Sequence, residues 1–170
     1  MQTHHRDRID VCTALRLRAL LATAFAGEST IVLANREPFR HDRTSTDNMK
    51  VRPASGGLVT ALEPVIQACS GVWVASGNGS ASRHVVDRQD RLQTTPIRSS
   101  YRIRRVWLDP VEERGYYGGF ANEGLWPLCH RAGVAPVFRT DDFRMYAAVN
   151  ARFAGAVSDE AAGQRPVVLV

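Results

Sequence analysis

The sequence predicts an α/β fold built on a mostly parallel sheet. Three observations carry this. Apolar, largely β-branched runs at residues 30–34, 72–75 and 166–170 read as strands buried on both faces. Segments with helical spacing lie between them, the alternation that gives a parallel sheet. At 44% apolar, the 170 residues are enough to bury the core of one domain.

The elements follow in order. Residues 1–10 are polar and expected to fray. Residues 11–26 read as a helix. Arg16 and Arg18 before the apolar residues 19–26 share features with a secretory signal, but the apolar stretch is short and the basic residues sit late. Leu15, Leu17, Leu20, Leu21 and Phe25 fall on one helical stripe, so an amphipathic helix is the expectation. Gly27-Glu28-Ser29 breaks it. The first strand covers residues 30–34 and ends at Asn35-Arg36-Glu37-Pro38. Residues 39–52 are polar, mixed in charge and without an apolar period, and predict a loop. Pro53-Ala54-Ser55-Gly56-Gly57 leads into a helix from Leu58, marked by Ala61, Leu62, Val65, Ile66 and Cys69. Gly71 opens the second strand, followed by a loop at residues 76–80. Residues 81–99 show strand potential only at Val85-Val86. Tyr101, Ile103 and Val106-Trp107-Leu108 form a third strand, with Arg102, Arg104 and Arg105 interleaved. Asp109-Pro110 marks a turn and a helix start, since Pro fits a first helical turn. That helix reaches Gly118-Gly119 and continues irregularly to His130. Asp141-Asp142 predicts the cap and acidic first turn of another helix, carrying Phe143, Tyr146, Val149, Phe153 and Val157. Residues 166–170 are a fresh strand. A domain rarely stops there, because the strand is left uncovered, so a truncated chain is expected.

Charge and cysteine usage narrow the function. The formal net charge is +5, carried by scattered arginines with Lys50 as the one lysine. This suits anionic small molecules, and the absence of a basic run or stacking module argues against nucleic acid. Cys12, Cys69 and Cys129 have neither disulfide nor metal-ligand spacing, which fits a reducing, cytoplasmic setting. No apolar run reaches the roughly 18 residues of a membrane span.

Three places can bind a ligand. Arg36 lies at the end of the first strand, where α/β sheets bind ligands, and its guanidinium can hold a phosphate through two hydrogen bonds. An ordinary ion pair with Glu37 is the other reading. Gly56 and Gly57 precede a helix, so backbone N–H groups there can approach an anion, but a pair of glycines is a weak signal and an ordinary loop-to-helix connection is the other reading. Residues 116–128 crowd aromatic rings, glycines and an amide together. Three glycines (118, 119 and 124) at about 1 kcal/mol each against Ala are unexpected in a helix made only for burial. Tyr117 and Trp126 can offer faces to a sugar ring, or can pack in the core. His130, Asp141 and Asp142 are read as helix-end residues. No nucleophile elbow, Walker loop or HExxH is present, and no catalytic residue is assigned.

Taken in order, these pieces resemble glycosyltransferase family 20, the trehalose-6-phosphate synthase family. The matching features are residues 31–38, Ser55-Gly56-Gly57-Leu58, Gly71-Val72-Trp73, residues 116–128, Tyr146 with Val149-Asn150 and Phe153-Ala154, and the final run 166–170. The resemblance implies two Rossmann-like domains in the GT-B arrangement. Residues 30–170 would then be part of the acceptor-side domain and residues 1–29 a helical extension, with the nucleotide-binding domain absent. It implies transfer of glucose from UDP-glucose to glucose 6-phosphate with retention and no metal in the chemical step. Arg36 would grip the acceptor phosphate, Tyr117 and Trp126 would line the acceptor pocket, and Gly56 and Gly57 would face the donor. A homo-oligomer is compatible with the complete enzyme. Two departures stand out. Ala75-Ser76 replaces a second tryptophan that the family often carries, which leaves room for another acceptor such as glycerol phosphate. The family's Asp-Tyr-His motif and the cationic residues that neutralise the leaving UDP are absent. The 170 residues are therefore expected to be inactive by themselves, or to serve as a non-catalytic sugar-phosphate-binding module.

Overall fold

The computed structural model describes residues 13–25, 28–46, 48–94, 101–131 and 133–170. The expected frayed terminus, Cys12 and the break at Gly27 lie outside the described residues. Helix α1 (Ala14–Ala24) starts at Thr13, whose hydroxyl accepts from the Arg16 N–H at 3.3 Å. It rests against helix α2 (Gly57–Cys69). Only part of the predicted stripe is used: Leu17, Leu21 and Phe25 are half-buried, while Leu15 and Leu20 stay exposed.

Strand β1 (Ser29–Arg36) is followed by β2 (Phe39–Arg43), β3 (Met49–Pro53), α2 and β4 (Val72–Ser76). Then come β5 (Arg91–Gln93) and β6 (Arg102–Val106). A helical run is made of α3 (Pro110–Glu113), a π-helical segment (Arg114–Leu125) and α4 (Trp126–His130). Helix α5 (Thr140–Ala161) and β7 (Pro166–Leu169) complete the chain. The main sheet has the order β5-β6-β4-β1-β7 and is parallel except for the β5–β6 pair. The predicted class is therefore observed.

The sheet is covered on both faces, as its continuous apolar strands require. Ile31, Val72, Val74 and Val106 pack on one face against Tyr116 and against Val149, Phe153 and Ala156 of α5. Val32, Trp73, Ala75 and Ile103 pack on the other against Val59 and Ile66 of α2. Alternate residues of β1 and β4 thus serve opposite faces, which is the period of a strand.

Four expectations need correction. The predicted loop at 39–52 is an antiparallel hairpin, β2 paired with β3, with Arg40 opposite Arg52 and Asp42 opposite Lys50. One of its faces carries charge and the other has only Phe39 and a buried His41 turned inward, so no apolar period announced it. Val85-Val86 is not a strand; the edge strand is Arg91–Gln93. Asp141 and Asp142 sit in the first turn of α5 but do not cap it, since the N-cap is Arg139, whose side chain makes no capping bond to the helix amides. The real acidic cap is Asp109, which accepts from the N–H groups of Val111 and Glu112 while Glu112 accepts from the Asp109 N–H. Finally, two of the three glycines that suggested a ligand surface have a packing reason. A Cβ on Gly119 would collide with the Asp142 carboxylate, and one on Gly124 with the Phe138 ring. Only Gly118 faces open space.

Candidate functional site

The site grows from the end of β1. Neighbours β4 and β6 lie to one side of β1 and the last strand, β7, to the other, so the strand order reverses at β1. Ligands in open α/β sheets bind at the carboxyl end of strands at such a point. The pairing of β1 with β4 is regular through Leu33↔Val74 and then shifts before Arg36↔Ser76. An irregularity of this kind re-aims the side chain that follows it.

Arg36 is held from two directions. The indole N–H of the fully buried Trp73 donates to its carbonyl at 3.1 Å, and its own Nη1 donates to the Ser55 carbonyl at 3.0 Å. The expected alternative, an ion pair with Glu37, is not formed: Glu37 is turned inward to Arg105. Gly56 adopts φ +149°, a conformation that side chains rarely take, and a Cβ there would stand 3.5 Å from Arg36 Nη1. Gly57 begins α2, with no side chain capping its N-terminal amides.

A cavity of about 360 Å³ is lined by Asn35, Arg36, Gly56, Gly57, Leu58, Val59 and Tyr117. It gathers four of the five residues singled out from the sequence. Tyr116 and Tyr117 divide the work on the π-helical segment. Tyr116 is buried and stacks on Tyr146 with centroids 5.8 Å apart, while Tyr117 is partly exposed at the cavity. Asn35 Oδ1 is buried and has no hydrogen-bond partner among the described residues, which makes it an acceptor for a ligand hydroxyl. Guanidinium, uncapped helix amides, an aromatic face and an amide acceptor together suit an anion joined to a polyol. Trp126 does not line this cavity. It stands half-exposed, stacked on His130 at 4.6 Å. Asp141 pairs with Arg144, and Asp142 with Arg139.

A second cavity, about 320 Å³, lies on the other side of Arg36 and is lined by Arg36, Glu37, Arg40, Arg52, Pro53, Ala54, Ser55 and Asn78. Below it runs a buried network. Arg105, 1% exposed, donates from Nε to Glu37 Oε2 at 2.8 Å and from Nη1 to the Ser82 carbonyl at 2.8 Å. Its Nη2 lies 3.1 Å from His41 Nδ1. Arginine only donates, so Nδ1 accepts and the imidazole is neutral. Burial raises the Glu37 carboxyl above its usual range, and the Arg105 charge opposes that rise. Burial lowers the His41 ring, and Arg105 lowers it further.

Sequence reasoning missed this network. A signal was available, because Arg105 shares the strand period of the buried Ile103 and therefore points inward. The hairpin arginines carried no signal beyond charge.

Known proteins share this sequence pattern and fold. Residues 28–170 match the pattern of Glycosyltransferase family 20. A trehalose-6-phosphate synthase of Mycobacterium avium (strain 104) is 34% identical over 146 residues, which are 85% of this chain and 28% of that protein. The chain thus spans little more than a quarter of that relative. An alpha,alpha-trehalose-phosphate synthase (UDP-forming) from Burkholderia xenovorans, in complex with glucose-6-phosphate, has a similar fold, with a TM-score of 0.57 and 22% identity over 82% of this chain and 27% of that one. A structure described as trehalose-6-phosphate from E. coli bound with UDP-2-fluoro glucose gives a TM-score of 0.53 at 19% identity, covering 83% of this chain and 27% of that one.

Proposed function

The chain belongs to glycosyltransferase family 20, and on that premise we propose that it carries the acceptor side of a retaining transferase that moves glucose from UDP-glucose to glucose 6-phosphate. The observation that supports this best is the gathering of Arg36, Gly56, Gly57 and Tyr117 around one cavity at the carboxyl end of β1. In this reading Arg36 holds the acceptor phosphate by charge-assisted hydrogen bonds. Tyr117 lies against the apolar face of the sugar, and Asn35 Oδ1 takes one of its hydroxyls. The amides at Gly56 and Gly57 face the donor diphosphate, whose charge the N-terminus of α2 favours. The role of Trp126 rests on family resemblance alone. So does the absence of a metal from the chemical step.

Calorimetry with glucose 6-phosphate tests the reading. Arg36→Ala is expected to weaken binding by about tenfold or more, the usual worth of a hydrogen bond to a charged group. Equal affinity in parent and variant removes Arg36 from the site and the reading with it. The 170 residues by themselves are expected to bind without turnover. Departure of UDP needs positive charge on the leaving group, and Arg36 is the one cation lining the cavity. Release of UDP by this chain at the rate of a complete synthase would refute that expectation.

A further inference from the structure

A third cavity, about 290 Å³, opens at the other end of the sheet. Its wall includes Ser29 and Thr30, the first residues of β1, whereas Arg36 is the last. β1 has 8 residues, and at about 3.3 Å per step its ends stand roughly 23 Å apart. The cavity shares no lining residue with either of the two beside Arg36. It wraps the amino edge of the strands. Ser29 shares the strand face of Ile31, which packs toward α5, and Thr30 shares that of Val32, toward α2. Helix α5 ends at this cavity with Asp159, Glu160 and Ala162, and helix α2 ends there with Cys69 and Ser70.

The polar groups of this wall are unevenly used. Glu160, with a buried side chain, takes Arg91 Nε on its Oε1 at 2.6 Å. Arg102 comes only to 3.7 Å from Oε2, beyond hydrogen-bond reach, and its side chain stays half-exposed. The side-chain oxygens of Ser29 and Thr30 are buried and have no hydrogen-bond partner among the described residues. Two adjacent hydroxyls left unpaired beside one cavity call for a partner from outside the chain, since buried polar groups are otherwise paired. Charge decides the kind of partner. Arg91 and Arg102 are balanced by Asp159 and Glu160, so the lining is neutral in sum. Both helices present their carboxyl ends, whose partial negative charge disfavours an anion. The lining therefore asks for groups that both donate and accept while carrying no charge, which is the chemistry of an alcohol. Cys69 and Ala162 add apolar surface for the C–H face of a ring.

We propose that this cavity at the amino end of the sheet binds a neutral polyhydroxylated ligand, a free sugar or polyol, between the hydroxyls of Ser29 and Thr30 and the guanidinium of Arg102. It is a second site, remote from the acceptor cavity, and it needs no phosphate on its ligand. It stands independently of the functional reading above, because none of its residues enters that reading.

Cys69 supplies a reporter in the wall itself. In the whole 170-residue chain, Cys12→Ser/Cys129→Ser leaves it as the one thiol. Its alkylation by iodoacetamide is followed as glucose is titrated in, with inorganic phosphate as the anionic control. Glucose is expected to slow the reaction by about tenfold, the factor that nine-tenths occupancy gives, and phosphate to leave it unchanged. Thr30→Val removes the hydroxyl at constant shape, and Arg102→Gln removes the charge from a half-exposed side chain. Each is expected to weaken the protection by about fivefold or more in glucose concentration. Without ligand, Thr30→Val is expected to melt no lower than the parent, because the hydroxyl that it deletes is unpaired. This separates loss of binding from loss of folding, and Arg102→Gln decides the matter if Thr30→Val fails to fold. Arg36→Ala, which disables the acceptor cavity, is expected to keep the protection. The proposal is overturned if glucose gives no protection, if phosphate protects as well as glucose, or if Arg36→Ala abolishes the effect. Full protection in both Thr30→Val and Arg102→Gln overturns it too.

Discussion

Arg105→Met is expected to cost the fold about 3–5 kcal/mol, the range for breaking a buried ion pair by removing one partner. That is a large fraction of the roughly 5–15 kcal/mol that holds a domain together. The cost comes from what is left behind. Glu37 is 3% exposed, and Arg105 is the only residue that ion-pairs with it among those described. The Ser82 carbonyl and His41 Nδ1 lose their donor in the same step. Removing both partners, as in Arg105→Met/Glu37→Met, is expected to recover much of the loss, because an apolar pair of similar volume needs no compensation. Urea denaturation of parent, single and double variants measures this. A single variant as stable as the parent would show that the pair contributes nothing.

The same network sets a pH dependence. The folded-state pKa of Glu37 is raised, chiefly by burial. Its contribution to stability is therefore fullest below the ordinary carboxyl value and falls as pH rises through the raised one. His41 has a lowered folded-state pKa, so its contribution is present above the ordinary histidine value and falls as pH drops below it. The two slopes oppose each other in the parent. In Arg105→Met both change in the same sense. Glu37 loses the charge that held its pKa down, and His41 loses one that pushed its pKa lower. The destabilisation should thus be larger at pH 8 than at pH 5. A loss that grows toward acid pH would contradict this account.

These residues show where sequence reading stops. Strands β1 and β4 were legible because burial on both faces leaves an apolar run that needs no partner to be recognised; β7 carries such a run although it is only half-buried. Arg36, Gly56, Gly57 and Tyr117 could be named as candidates, since strand ends and glycine-led helix starts are local features. That they share one cavity depends on β1 pairing with β4 and on the π-helical turn delivering Tyr117, both set by long-range packing. The glycines of residues 116–128 misled for the same reason. Their cause lies in Asp142 of α5 and Phe138 of the segment before it, and no local pattern records how closely another element approaches. The hairpin was hidden because its pairing runs through charge instead of apolar alternation.

Trp73 joins the core to the site, and its replacement should show both roles. Trp73→Ala is expected to cost about 3–5 kcal/mol, the transfer energy of a large ring plus the cavity left among Val32, Val59, Ile66, Tyr101 and Ile103. Trp73→Phe is the informative companion. It keeps an aromatic ring in the core and deletes the indole N–H that binds the Arg36 carbonyl at 3.1 Å. The stability loss should fall to about 1–3 kcal/mol, the cost of a buried acceptor left unpaired together with some lost packing. That hydrogen bond fixes the last residue of β1 just after its pairing with β4 shifts. Releasing it should let the Arg36 backbone move and cost glucose 6-phosphate binding a factor of about three to ten even though no ligand contact is removed. Denaturation and calorimetry on the same two variants separate the effects. If Trp73→Phe loses stability but binds as the parent does, the indole serves packing alone. If binding falls with little loss of stability, the core reaches the acceptor site through this one bond, and the placing of Arg36 begins at a tryptophan on the neighbouring strand.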